Sequence, residues 1–268
     1  MLAYKFGVIG AGNMGTAIVR GLVESEAMRP NEIVAHDPNI KREQVLALEL
    51  GVLCAQNNLL PASCPHLLLS VKPQMIDGVL EEIEPVVTDK TVVISIAAGI
   101  TTAHIDAKLK GKGRIIRAMP NTPMLVGSGV SAVAAGPRAT HEDVHWAQRL
   151  FATSGLAIVM DESAIDAVTG VSGSGPAYLF YLIEAMTEAG VAEGLDPDVA
   201  ELLATQTCIG AGKLLAKTKK TPQELRAMVT TPGGTTQAAI THMEKHAVRR
   251  IIVEAISKAT MRSRELGN

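Results

Sequence analysis

Only 3% of the 268 residues are aromatic and 19% are charged, so Ala, Val, Ile, Leu and Met must fill the interior of a chain that is 47% hydrophobic. Neither charge sign prevails. Lys and Arg total 25 against 27 Asp and Glu, and no basic block is present that would neutralise several phosphates, which argues against nucleic acid as a partner. The three cysteines, Cys54, Cys64 and Cys208, are an odd number without a CxxC pair, which fits small buried thiols in a reducing compartment. Long apolar runs are missing too: Val92 to Ile100 is interrupted by Ser95 and is far too short to span a bilayer. Because the N-terminus passes from Met1 straight into a strand pattern, neither export nor membrane anchoring is expected, and the chain reads as cytoplasmic. Internal repeats and low-complexity tracts are absent.

What is present is a change of pattern along the chain. A length of 268 residues is near the limit for one core, and two domains are the better fit. Up to about residue 160, short apolar runs alternate with segments of helical period, the sequence form of a parallel sheet covered by helices. The predicted strands are 5–9, 33–36, 52–54, 67–71, 92–96, 114–118, 130–134 and 157–160, with helices at 14–24, 41–50, 75–82, 102–109 and 141–153. Strands beyond Pro120 are expected to pair differently from the rest. After Asp161 the β-branched runs give way to helical stretches, with Pro176 and Pro197 at first-turn positions and a capping box at Thr221–Glu224. The fold class expected is therefore α/β: a Rossmann-type parallel-sheet domain at 1–162, followed by an all-α domain at 163–268. Residues 177–189 and 199–215 are apolar on nearly every face, so a second subunit is expected to cover them.

Three strand ends and two helix starts carry the candidate chemistry. Gly10-Ala11-Gly12-Asn13-Met14-Gly15 follows the first strand and opens the first helix, the context in which GxGxxG binds a dinucleotide. Gly10 permits a tight turn, Gly12 lets a pyrophosphate approach, and Gly15 lets helix and strand pack closely. Asp37 ends the second strand, placed to bond an adenine-ribose hydroxyl and favour NAD; Lys41 and Arg42 would instead pair with a 2′-phosphate. Val71-Lys72-Pro73, Ala97-Ala98-Gly99 and Arg117 to Pro123, which contains Asn121, should gather at the carboxyl ends of the strands, where open parallel sheets bind ligands. In the helical part, Ser172 to Pro176 and Thr230 to Thr236 set small residues and hydroxyls ahead of a helix, a neutral cradle for a carboxylate. From these segments Asn121, Ser174, Gly175, Thr231, Gly233, Gly234, Thr235 and Thr236 are the candidate substrate residues. Two histidine pairs, His141/His145 in an HExxH string and His242/His246, read as helix faces: Thr140 caps the first helix and Glu142 and Asp143 suit its first turn, so no metal site is expected.

Taken together, GAGNMG at 10–15, VKPQ at 71–74, AAG at 97–99, RAMPNTP at 117–123, SGSGPAY at 172–178 and VTTPGGTT at 229–236 closely resemble the motifs of pyrroline-5-carboxylate reductases, over essentially the whole length. The resemblance implies a dinucleotide-binding domain, a helical dimerisation domain and a homo-oligomer that reduces 1-pyrroline-5-carboxylate to L-proline, the final step of proline biosynthesis. It implies NADPH as hydride donor, with NADH as the alternative. It places Ala11, Asn13, Met14, Asp37, Asn58, Val71, Lys72 and Ala98 beside the cofactor and Thr235 and Thr236 beside the substrate, with Thr236 as the catalytic residue. One departure stands out: Asp37 occupies a position where the family often has Ser or Asn. A rival resemblance, to β-hydroxyacid dehydrogenases at Gly170, Gly173 and Gly175, fails because the lysine and asparagine those enzymes need fall at Leu179 and Ile183. A nonenzymatic nucleotide sensor would have no use for the threonine-rich cradle.

Overall fold

A computed structural model describes residues 4–267. Its eight strands are β1 (Phe6–Ile9), β2 (Ile33–His36), β3 (Leu53–Cys54), β4 (His66–Leu69), β5 (Val92–Ser95), β6 (Arg114–Met119), β7 (Gly129–Ala135) and β8 (Gly155–Val159). They form one sheet in the order β3-β2-β1-β4-β5-β6-β7-β8, parallel throughout except where β7 runs antiparallel to β6. The different pairing expected after Pro120 is this β6–β7 step.

Alternate residues of the central strands enter different cores, which is why those strands read as unbroken apolar runs. Phe6, Val8, Leu68, Val92, Ile94 and Ile116 share one core with α1 (Asn13–Glu24), α2 (Ile40–Leu50) and α6 (His141–Ala152). On the other face, Ile9, Leu67, Leu69, Val93 and Ile115 meet the apolar stripes of α4 (Ile76–Ile83) and α5 (Thr102–Lys108). The chain order reverses at β1, which lies between β2 and β4, and this opens the crevice beyond their carboxyl ends.

The chain divides into two compact units, one reaching through Ser174 and resuming at Lys258, the other Gly175–Ser257. The second consists of α8 (Gly175–Ala192), α9 (Pro197–Lys217), α10 (Pro222–Met228), α11 (Thr235–Lys245) and the first part of α12 (Val248–Leu266). Helices α8 and α9 approach closely at Gly190, where an added Cβ would sit 3.0 Å from the Ala200 Cβ. Their other faces find no cover within the unit: Phe180, Tyr181 and Leu202 are 59%, 75% and 66% exposed. Asp196 caps α9, and the Thr221/Glu224 capping box starts α10. Thr140 and Asp143 cap α6 reciprocally, so the HExxH string begins with a helix cap.

Candidate active site

The three loop glycines have three separate reasons to be glycine. Gly10 has φ +99°, and a Cβ there would sit 2.4 Å from the Ser70 carbonyl oxygen, in the segment leaving β4. A Cβ on Gly15 would sit 2.2 Å from the Gly10 carbonyl oxygen, so helix and strand touch through backbone. Around Gly12 nothing lies within 4 Å of that position, which leaves the loop open on its outer side. Gly12 is also the N-cap of α1, with no side-chain cap and no acidic residue in the first turn, so the first amides there are left for an outside acceptor.

Beside this loop lies a cavity of about 420 Å³, lined by Ile9, Gly10, His36, Asn58, Val71 and Glu82 among others. These residues come from the ends of β1, β2 and β4 and from α4 and the turn before α3 (Leu59–Ala62). Its polar wall is internally bonded. Asn58 donates through its side-chain amide to Glu82 Oε2 at 2.6 Å and through its backbone to Oε1 at 3.3 Å. His36 Nδ1 lies 3.0 Å from both Glu43 Oε1 and the Ala55 carbonyl oxygen, two acceptors that require a proton on that nitrogen. Sequence reasoning passed over His36 and Glu82. A polar residue ending an apolar strand was the available signal for His36; nothing local marks Glu82.

Asp37 follows β2 with its side chain engaged by the protein. Its carboxylate accepts from the Ala11 amide at 2.8 Å and the Asn39 amide at 2.8 Å, with Arg42 Nη1 at 3.4 Å, and the residue is only 4% exposed. It knits the end of β2 to the glycine loop. Lys72 is exposed, and Pro73 opens a short 3₁₀ turn to Met75. Ala97 is buried and Ala98 partly so, while Gly99, at φ +79°, packs against the end of α12.

Two candidate substrate segments also differ from expectation. The Asn121 side chain is engaged on both sides: Nδ2 donates to the Ser172 hydroxyl at 3.3 Å, and Oδ1 accepts from the Val130 amide at 2.8 Å. It joins the end of β6 to β7 and to the turn at Ser172. That turn is not a loop ahead of a free helix start. Residues Thr169–Gly173 form a π-helical turn continuing α7 (Ile165–Val168), and the Ser174 amide donates to the Thr169 carbonyl at 2.8 Å. Pro176 therefore follows one helical turn after another.

The Thr230–Thr236 segment does stand ahead of a helix. The Gly234 amide donates to Thr231 O at 3.0 Å, Gly233 takes φ +71°, and Gly234 is the N-cap of α11. As at α1, that cap brings no side chain and the first turn holds no acid. Thr236 is half-buried and Thr235 exposed. Four helix starts are self-satisfied: at α2, α6, α9 and α10, Asn39, Thr140, Asp196 and Thr221 each use a side-chain oxygen, with an acid in the first turn. Thiolate chemistry is disfavoured at Cys54 and Cys64, whose thiols burial pushes up to about 11.

Comparison with known proteins accords with this geometry. Residues 162–266 match the pyrroline-5-carboxylate reductase dimerisation family, and residues 5–99 match the family described as NADP oxidoreductase, coenzyme F420-dependent. The chain is 40% identical to the pyrroline-5-carboxylate reductase of Methanosarcina acetivorans, covering 98% of each chain. It is 37% identical to that of Escherichia coli K12, again over 98% of each. Among solved structures, the enzyme from Coxiella burnetii superposes with a TM-score of 0.90 at 35% identity, over 99% of each chain. The Plasmodium falciparum reductase with NADP bound gives 0.89 at 26% identity, over 100% of each.

Proposed function

Because the chain belongs to the pyrroline-5-carboxylate reductase family, we propose that it reduces 1-pyrroline-5-carboxylate to L-proline with NADPH, the last step of proline biosynthesis. The observation that carries this reading is the pair of uncapped, acid-free helix starts at Gly12 and Gly234, the first beside a crevice of nucleotide dimensions and the second bearing Thr235 and Thr236. Two anions have to be held, a pyrophosphate and a substrate carboxylate, and backbone amides at helix starts hold anions without a charged side chain.

The residues fit a nicotinamide cofactor. Gly10, Ala11, Gly12, Asn13, Met14 and Gly15 would hold the pyrophosphate, Asn58 and Val71 the adenosine, and Lys72, Pro73 and Ala97 to Gly99 the nicotinamide side. When bound, the cofactor supplies a hydride. NADPH suits the end of β2 because the Asp37 charge is turned inward and hydrogen-bonded, while Lys41 and Arg42 stand exposed at the start of α2. NADH remains the alternative donor.

The substrate needs little more than placement, since a protonated cyclic imine is already an electrophile. Thr231, Gly233 and Gly234 shape the turn beside its carboxylate, which the Thr235 amide and hydroxyl would receive; the Gly233 and Gly234 amides themselves donate to Gln237 Oε1 and to the Thr231 carbonyl oxygen. The Thr236 hydroxyl would hydrogen-bond the imine nitrogen. A threonine hydroxyl is a weak acid, so the proton arrives on the substrate or from water. Ser174 and Gly175 contribute through the π-helical turn, and Asn121 by holding that turn.

The exposed apolar faces of α8 and α9 are covered by a second copy of the chain, giving a homodimer or larger homo-oligomer. Three free cysteines and the absence, among the described residues, of any helix long and apolar enough to cross a membrane support work in the cytoplasm. The test is direct: NADPH oxidation on addition of the imine, with proline identified as product. A folded protein inert with both nucleotides refutes the proposal.

A further inference from the structure

Next to the Ala97–Gly99 loop lies a charged cluster, centred on a buried arginine, that no step above uses. Arg117, on β6, is 1% exposed, so it offers no face to a ligand. Its Nη2 donates to Asp166 Oδ1 at 2.7 Å, and its Nη1 lies 3.6 Å from Glu162 Oε1. Its Nε is buried with no partner. Each carboxylate reaches a further element. Glu162 accepts from the Thr102 amide at 2.7 Å and the Thr102 hydroxyl at 2.5 Å, at the first residue of α5. Asp166 accepts from the Ser263 hydroxyl at 2.8 Å, in the last turns of α12.

Burying charges is seldom a gain in stability over good apolar packing, and here one guanidinium nitrogen is left unbonded. What such a cluster does supply is a fixed geometry. Both elements it grips border the same loop. Thr102 follows Gly99 by three residues, and the end of α12 lies on Gly99 itself: a Cβ there would sit 2.6 Å from Ser263 O, 2.7 Å from Leu266 Cβ and 3.0 Å from Gly267 N. Contact this close leaves the loop backbone no room to shift while the helix end stays seated.

We infer that Arg117, Glu162, Asp166 and Ser263 are positioning residues for the nicotinamide half of the cofactor site, clamping the end of α12 onto Gly99 and pinning the start of α5. This rests on the reading of Ala97–Gly99 as cofactor-lining. The adenosine half is built from other elements and does not depend on the clamp.

The experiment uses the full chain with Asp166→Asn and, as the milder change, Ser263→Ala. Each variant is titrated with NADPH and with 2′,5′-ADP, which lacks the nicotinamide arm, and its thermal midpoint is recorded. The expected result is an NADPH Kd raised by roughly five- to tenfold and a 2′,5′-ADP Kd within about twofold of wild type. Equal weakening of both ligands, or no weakening in a folded variant with a lowered midpoint, overturns the inference and leaves the cluster as a fold element alone. Ala98→Leu separates the premise. If it leaves NADPH binding intact, the loop is not cofactor-lining and the inference falls with that reading; if it weakens NADPH while the clamp variants do not, the reading stands and the inference alone is overturned.

Discussion

Replacing Asp37 by Asn tests whether the acid at the end of β2 selects the nucleotide or holds the loop. The carboxylate accepts two backbone amides at 2.8 Å, from Ala11 and Asn39, at a position 4% exposed. Asparagine keeps the shape but has one acceptor oxygen, so one amide faces an NH₂ group. Hydrogen bonds to a charged group are worth about 1.5–3 kcal/mol, and water has little access to replace the lost one. The expected destabilisation is about 2 kcal/mol, a fall in thermal midpoint of roughly 4–8 °C for a chain of this size. Both nucleotides use the Ala11 amide region alike, so their kcat/KM values should fall together and their ratio change less than about threefold. A carboxylate facing the ribose would act otherwise. At about 5 Å from a 2′-phosphate, with an effective dielectric constant near 20, each pair of unit charges repels by about 3 kcal/mol, so removing it would swing preference toward NADPH by tenfold or more. Thermal melts and steady-state kinetics with NADPH and NADH decide the matter. An unchanged midpoint with a tenfold swing in the ratio refutes the inward-facing account.

Gly12→Val should leave stability near wild type, because nothing lies within 4 Å of the Cβ position, yet reduce NADPH affinity by roughly tenfold or more; Gly15→Ala, whose Cβ would meet the Gly10 carbonyl at 2.2 Å, should cost about 1–3 kcal/mol in urea unfolding. Glu32 is held down to about 2 from its usual 4.5 by hydrogen bonds from Arg29 and Lys5. Its contribution to stability is complete above pH 4.5 and lost as pH falls toward 2, so Glu32→Gln should flatten the acid limb of the stability profile, measured by denaturant titration at several pH values. Leu202→Asp, at a site 66% exposed on α9, should yield monomers by sedimentation, and those monomers should be inactive. Thr236→Val should sediment as wild type and lose roughly tenfold or more in kcat; normal kinetics would reduce Thr236 to a residue of the helix start.

Much of the nucleotide-binding unit was legible because its signals are local. Strands buried on both faces appear as apolar runs, and β2 lies at Ile33–His36, where the pattern placed it. The three glycine roles follow from backbone geometry within a few residues. Side-chain commitments were not legible, since their partners are far away in sequence: Asp37 bonds an amide 26 residues earlier, Asn121 a hydroxyl 51 residues later, and Asp166 a hydroxyl 97 residues later. Gly and Pro around Ser174 look like a break, but a π-type bond to Thr169 carries the helical path through them. These long-range bonds share one feature. Asp37 and Asn121, polar residues at strand ends that read as ligand contacts, bond protein, as does the neighbouring Arg117. A reduction whose substrate is already an electrophile asks mainly for placement, and the starts of α1 and α11, without an acid in their first turns, set no negative charge against an anionic ligand.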